Sequence, residues 1–551
     1  MPPVGSTFSP QCTENGNILP PGGINASPTV WSYRITEFVV QTTVYPDVVL
    51  TYIWKREREE SMASQMLQKA RAYEKERGAQ IRPRERPGFH LTGETGWIND
   101  PNGFSFYKGA YHLFYQSNPY DTHWGAIHWG HAKSADLVRW EYVGAALAPD
   151  MPYDGAGCFS GSALELPDGR HLIMYTGVQD VRREDGSLRG LQTQCVAFGD
   201  GVDYEKFQGN PVLAAGDLPE GASPWDFRDP KLWREPEGTY RMVAANDRGD
   251  GRGQVLLFES PDTVHWKYLS VLAQSRGELG RMWECPDYFR LGGKRVLTLS
   301  VMGMEPRGLE FHPGHNTAVL IAGEGEAFSA EGARSLDYGL DFYAPQTMET
   351  PDGRRILVAW MQNWAASGFA PPEARYFGQL TLPRELECRE GWLLQKPVRE
   401  LERYRARPVV YANVPLGEET GLEGIRGVML DLTVRLRWEE GCGSIRIALR
   451  KGGVHETTLT LFLGQGILRL DRSRSGCLLD VVHTRDIPVD TGKGTLELRL
   501  ILDRFSLELF CDGGKQCASA LLTTPEQEDG ISFYAQGPAW ADVEKYDLDV
   551  R

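Results

Sequence analysis

Residues 428–438, VMLDLTVRLRW, alternate strictly. Val428, Leu430, Leu432, Val434, Leu436 and Trp438 fall on one face, Met429, Asp431, Thr433, Arg435 and Arg437 on the other. A period of two with one apolar and one polar face marks a half-buried strand. TLELRLIL repeats it through Leu496, Leu498, Leu500 and Leu502, so residues 405–551 are expected to form an antiparallel β-sandwich. Upstream, from 85 to 400, short apolar runs such as AYHLFYQSNP, RHLIMYTGV, QVLLFESP and RRILVAWMQNW are separated by Gly, Pro and Asp turns, the texture of many short strands. SMASQMLQKARAYEKERG instead places Met62, Met66, Ala70 and Tyr73 at helical spacing. An amphipathic helix is predicted within 55–80, with Gly78 as its cap and Met62 as a candidate start of the ordered chain. Residues 1–54, rich in Pro, Gly, Ser, Thr and Asn and ending in VVLTYIW, are expected to be poorly ordered or an extension foreign to the fold.

A loose repeat runs through 85–400. SADLVRW (134–140), GDGVDYEKF (199–207) and SPDTVHW (260–266) each follow a strand with a polar turn, an Asp and an aromatic residue, and Trp140 and Trp266 lie two periods of 63 apart. A second series, Asp100, Ser160, Asp229, Glu284 and Asp341, is spaced by 60, 69, 55 and 57 residues. Five units of this size suit a propeller of four-stranded blades, whose first strands would bring these five polar positions to one central pocket. An ordinary pair of β-sandwiches with coincidental spacing is the competing reading.

The whole chain, 551 residues, exceeds what one core supports, so at least two domains are expected. A net charge of −15 argues against nucleic acid or an anionic membrane as partner. The 15 Trp and 22 Tyr suit a sugar ligand as well as an aromatic core. Nine scattered cysteines without CxxC spacing read as reduced thiols rather than a disulfide framework or a zinc site. No apolar run reaches the roughly 18 residues of a membrane span, and the N-terminus lacks a secretory pattern. A cytoplasmic protein is expected, with the sequon Asn25-Ala26-Ser27 as a contrary mark.

Three carboxylates stand in unusual company: Asp100 in WINDPNG, Asp229 in WDFRDPKLW and Glu284 in RMWECPDYF. Each has aromatic neighbours and a Pro close behind, which is expected to hold the chain extended where the acid is presented. Partial desolvation in such a setting raises a carboxyl pKa, as a general acid near neutral pH requires. Taken alone, Asn-Asp-Pro-Asn-Gly is first of all a turn. His128 and His131 in HWGHAKS lack a third ligand at metal-site spacing and read as structural. Cys285 reads as a small group beside the acid rather than a nucleophile.

In this order, the WxNDPNG, RDP and EC segments resemble those of glycoside hydrolase family 32, the invertases and β-fructofuranosidases. YHLFYQSNP, HWGHAKSADLVRW, CFSGSA, LDFYAPQ and LTLPREL extend the resemblance over 88–395, and LILDRFSLELFCDGG resembles the family's C-terminal sandwich. The resemblance implies an all-β fold, a five-bladed β-propeller followed by a β-sandwich. It also implies retaining hydrolysis of a terminal β-D-fructofuranosyl bond in sucrose or sucrose 6-phosphate, without metal or cofactor. Asp100 then matches the nucleophile, Glu284 the general acid/base and Asp229 the carboxylate that holds the fructose hydroxyls. Nucleophile and acid should lie roughly 5 to 5.5 Å apart. Trp97, Asn99, Gln116, Trp124, Phe159, Ser160, Arg228 and Trp364 fall where the family contacts substrate. Arg228 is expected to keep Asp229 ionised, and Trp97 or Trp124 to pack on a sugar face.

Where the family often has Gly-Trp and a later Trp, this chain has Ala359-Trp360 and Tyr376, which bears on substrate choice. A phosphate subsite would call on Arg182, Arg183, Arg248 or Arg252. Exo-fructan hydrolysis, fructosyl transfer and a non-catalytic carbohydrate-binding propeller remain as alternatives, and the oligomeric state is left open.

Overall fold

In the computed structural model the described residues are 64–183, 185–368, 370, 373–476 and 481–550, with the backbone of three strands before them. The chain divides into two compact units, Met1–Met62 and Ala63–Arg551. In the first, Thr29–Ile35, Phe38–Tyr45 and Val48–Lys55 pair as an antiparallel meander. From the sequence, residues 1–54 are expected to be poorly ordered or an extension foreign to the fold; these strands pair within a unit of their own. Met62 and residues 1–28 lie outside the described residues.

The second unit opens with a helix, Gln65–Gly78, whose first turn is capped by Ser64 Oγ accepting the Leu67 N–H. The buried stripe is Leu67, Ala70 and Glu74, not the one through Met66, which is exposed. Leu67 and Ala70 pack against Ala145 and Ala148. The Glu74 carboxylate accepts the Ala145 N–H at 2.8 Å, and burial raises its pKa to about 7. The tertiary contact rotates the stripe by one position, because Leu67 buries apolar surface as well as Met66 would and fits the small alanines opposite.

Five sheets follow. Their first strands are Gly96–Tyr107, Gly157–Glu165, Phe227–Arg234, Met282–Leu291 and Tyr343–Glu349. Each pairs outward to three further strands in sequence order, and Tyr376–Phe377 adds to the first sheet beside Gly96–Tyr107. Successive first strands contact one another and the fifth contacts the first, so the ring closes. This is a five-bladed propeller. The sequence repeat translates into one loop geometry: Asp136, Asp200 and Asp262 each accept two backbone N–H groups two and three residues ahead, through one Oδ1 at 2.9 to 3.1 Å. Asp is used there because its short acceptor closes the turn locally.

Residues beyond 404 form two six-stranded sheets face to face. Leu430, Leu432, Val434 and Leu436 pair with Leu502, Leu500, Leu498 and Leu496, and all eight are buried. Each such side chain contributes about 1.5–3 kcal/mol. Sandwich and propeller are joined by buried charge. Arg384, fully buried, donates to Glu508 Oε2 through Nε (2.8 Å) and to Asp337 Oδ2 through Nη1 (2.9 Å). Among the described residues no helix is long and apolar enough to cross a membrane.

Candidate active site

Every first strand is interrupted at the same height. Its pairing with the second strand skips Asn99-Asp100, Ser160, Asp229-Pro230, Cys285-Pro286 and Ala344-Pro345 in blades 1 to 5. Such bulges re-aim side chains at the cost of ladder bonds. Asp229, Cys285 and Ala344 have φ of 62°, 46° and 50°, a left-handed conformation that costs about 1–3 kcal/mol for a residue with a Cβ. The residues before these prolines are therefore not extended. The bulge overrides the local preference, and two successive side chains reach toward the axis.

Asp100, Asp229 and Glu284 meet there. Asp100 Oδ2 accepts Ser160 Oγ–H at 2.6 Å and Gln116 Nε2–H at 3.3 Å, and Oδ1 accepts Asn99 Nδ2–H at 3.0 Å. Cys285 bridges two carboxylates: its Sγ lies 3.4 Å from Asp100 Oδ2 and 3.6 Å from Asp229 Oδ2, and its N–H donates to Asp229 Oδ2 at 2.8 Å. Burial and the three surrounding carboxylates push its thiol well up, so it stays protonated and acts as a donor. Burial raises the Asp100 carboxyl, Glu284 adds to the rise, and the hydrogen bonds from Ser160, Asn99 and Cys285 oppose it.

Arg228 lowers the Asp229 pKa by its charge, as expected, but its hydrogen bonds go to Glu284. Its Nε and Nη2 donate to Glu284 Oε1 at 3.2 and 2.9 Å, while Asp229 Oδ2 stands 3.9 Å from Nε. Burial lifts Asp229 to about 7; Arg228 works against the rise, and Glu284 and Asp100 add to it. The other oxygen of Glu284 accepts Tyr343 O–H at 2.7 Å.

Of the remaining candidates, Gln116 Nε2 donates to Ser160 Oγ at 2.5 Å, and Asn99 Nδ2 to Gln116 Oε1 at 3.1 Å. Trp97 is fully buried and presents no face to a sugar. Its Nε1–H donates to Asn99 Oδ1 at 2.8 Å, and its ring lies 6.1 Å from Trp364 and 5.6 Å from Trp360. Trp124, 47% exposed, meets half-buried Phe159 edge-on at 5.7 Å. Trp360 is buried, and Tyr376 O–H donates to Glu85 O, so both departures from the family pattern pack into the wall behind the site. Arg182, Arg183 and Arg252 are exposed and Arg248 is half-buried; none hydrogen-bonds the three carboxylates. His128 Nδ1–H donates to Ala126 O at 2.6 Å, and His131 pairs with His112 at 2.9 Å.

Two features escape the sequence reading. Asp341 does not reach the axis: it pairs with Arg472 of the sandwich and accepts the Leu521 N–H, and Tyr343 takes the fifth blade's place. Beneath the carboxylates, the residues that follow each bulge form a second polar ring. Lys231 Nζ pairs with Asp287 Oδ2 at 3.0 Å, Gln346 Nε2 donates to Gly161 O at 2.9 Å, and Gly161 N–H donates to Asn102 Oδ1 at 3.3 Å. They nearly fill the axis, leaving a cavity of about 10 Å³. The recurrence of Asp-Pro, Asp-Pro, Cys-Pro and Ala-Pro, each followed by a polar residue, is the signal that could have found both.

The chain matches the sequence models described as Glycosyl hydrolases family 32 N-terminal domain, over residues 90–397, and Glycosyl hydrolases family 32 C terminal, over residues 400–549. It is 37% identical over 466 residues to a raffinose invertase of Escherichia coli, covering 82% of this chain and 92% of the relative. It is 36% identical to a sucrose-6-phosphate hydrolase of Zymomonas mobilis, covering 82% and 89%. Its fold superposes on a GH32 beta-fructofuranosidase of Bombyx mori with a TM-score of 0.74 at 33% identity, over 88% of this chain and 98% of that one. With both domains matched in order and relatives of this closeness aligned over most of their length, the chain belongs to glycosyl hydrolase family 32.

Proposed function

We propose that this glycoside hydrolase cleaves the terminal β-D-fructofuranosyl bond of sucrose or sucrose 6-phosphate with retention of configuration. The observation that carries the reading is the convergence of Asp100, Asp229 and Glu284 from three blades, each in a different electrostatic setting. In it, Asp100 attacks the anomeric carbon. Its hydrogen bonds from Ser160, Asn99 and Gln116 favour the ionised form a nucleophile needs, against the desolvation that opposes it. Glu284 protonates the leaving oxygen, and Arg228 and Tyr343 stabilise the carboxylate that the transfer leaves behind. Water then resolves the fructosyl-enzyme with Glu284 as base. Asp229, between the two, takes fructose hydroxyls, and Trp124 offers a sugar face at the rim.

The names of the relatives, raffinose invertase and sucrose-6-phosphate hydrolase, support this substrate class. The seven cysteines described are all free, which suits a reducing, cytoplasmic setting. Hydrolysis of sucrose by Asp100→Asn and Glu284→Gln tests the reading. The acid/base change should cost about 10² to 10⁴ in rate, with a larger loss at Asp100 and a covalent fructosyl adduct on the Asp100 peptide when Glu284 is replaced. Undiminished hydrolysis by either variant refutes the assignment.

A further inference from the structure

In a chain of net charge −15, two cations stand over one indole and a third lines the cavity beside it. The Arg334 guanidinium lies 3.8 Å from the centre of the Trp392 ring and Lys515 Nζ 4.2 Å from it, and Lys294 lines the same cavity of about 220 Å³. Among the described residues none of the three has a carboxylate within 4 Å. The one acid in the lining is Glu326, whose Oε2 accepts the Gly323 N–H at 2.6 Å.

The fold builds this arrangement from both domains. Trp392 opens Trp392–Pro397, the outermost strand of the fifth blade, and Arg334 Nη1 donates to Gly391 O at 3.3 Å just before it. Lys515 comes from the sandwich, on the turn between Ser506–Cys511 and Gln516–Leu521. That turn lies flat on the blade because Gly514, at φ 92°, accepts the Gln395 N–H at 3.0 Å. A Cβ there would stand 1.6 Å from Gln395 O. Glycine thus brings Lys515 over Trp392 although like charge already sits there. Cation–π contact offsets only part of that repulsion and leaves the charge uncompensated.

We propose that this cavity is a binding site for a small phosphate monoester, with the phosphate held between Arg334, Lys515 and Lys294. Three cations against one carboxylate leave an excess that matches a dianion. Arginine's planar fork and lysine's point charge are the usual phosphate donors, and a monoester carries about −1.5 to −2 at pH 7. The cavity falls below the roughly 300–1,000 Å³ of common ligand pockets, so it takes a compact molecule and not an oligosaccharide. It lies at the outer seam of propeller and sandwich, away from the axis, so it does not depend on the roles of Asp100, Asp229 and Glu284.

Calorimetric titration of the full chain with inorganic phosphate and with glucose 6-phosphate, at ionic strength fixed by sodium chloride, tests it. Wild type is compared with Arg334→Gln, Lys515→Gln and Lys294→Gln, each checked for an unchanged melting temperature and kcat/KM on sucrose. Saturable binding of glucose 6-phosphate, weakened at least about tenfold in the variants that stay folded, supports the proposal. Absence of saturable binding overturns it, as does binding undiminished by the substitutions, which would place the anion elsewhere. Binding of inorganic phosphate alone overturns the assignment to an ester.

Discussion

Arg228 holds Glu284 through two nitrogens, Nε at 3.2 Å and Nη2 at 2.9 Å, and leaves Asp229 at 3.9 Å. The positive charge of the site therefore hydrogen-bonds the acid/base candidate and acts on its sequence neighbour only through space. Arg228→Met is expected to lower kcat for sucrose hydrolysis by about 10²-fold or more, the usual scale for losing a donor aimed at developing charge. Steady-state kinetics check this; a rise in KM alone, with kcat intact, would mean that Arg228 serves binding.

Tyr343 reaches the other oxygen of Glu284 at 2.7 Å. A hydrogen bond to a charged group is worth about 1.5–3 kcal/mol, so Tyr343→Phe should reduce kcat by roughly ten- to a hundredfold. Its ring stays, so the melting temperature should hold.

Ser160 is expected to set the acid limb of activity. Its hydroxyl favours ionised Asp100 against burial, which pushes that carboxyl up. In Ser160→Ala the opposing bond is lost, the Asp100 pKa rises further, and the acid limb of kcat/KM should move to higher pH. A limb that stays in place would show that Asp100 ionisation does not govern it.

Two histidines should bend stability against pH in opposite directions. Burial alone would push His90 down, but hydrogen bonds with Asp503 and Glu508, at 2.8 and 2.9 Å, raise it to about 9. Its contribution is then complete below the ordinary value near 6.5 and is lost as pH rises toward 9. His171, buried between Tyr204 and Ser105, is lowered to about 3, chiefly by burial. It must stay neutral in the fold, so stability is lost as pH falls from about 6.5 toward 3. Denaturant unfolding of wild type, His90→Gln and His171→Gln across pH 4 to 9.5 (approximate limits set by these two values) should show the advantage of wild type over His90→Gln shrinking in base and its advantage over His171→Gln shrinking in acid.

Arg384 ties Glu508 of the sandwich to Asp337 of the propeller with no exposure to solvent. Arg384→Ala leaves buried Asp337 without its cation and Glu508 with His90 alone, and should cost about 3–5 kcal/mol of stability, read as a lower unfolding midpoint. A surface pair such as Arg435–Glu497 should cost less than about 1 kcal/mol on the same scale.

Alternation through Leu430–Leu436 and Leu496–Leu502 was enough to specify the sandwich, because a period of two with one apolar face has few ways to be buried. The Asp136, Asp200 and Asp262 turns marked successive blades because each closes on its own backbone within three residues. The boxes around Asp100, Asp229 and Glu284 named the acids. Which charge faces which acid was decided by tertiary structure: Arg228 is adjacent to Asp229 in the chain, yet the bulge at Asp229-Pro230 turns it to Glu284 in the next blade. The fifth position passed from Asp341 to Tyr343 for the same kind of reason, since the sandwich supplies Arg472 and captures the aspartate. Local patterns follow from interactions a few residues long. The electrostatic partner of a buried group is set by strands 50 or more residues apart in sequence, as with Arg228 and Glu284, where |i−j| is 56, and only the closed ring brings them within a hydrogen bond.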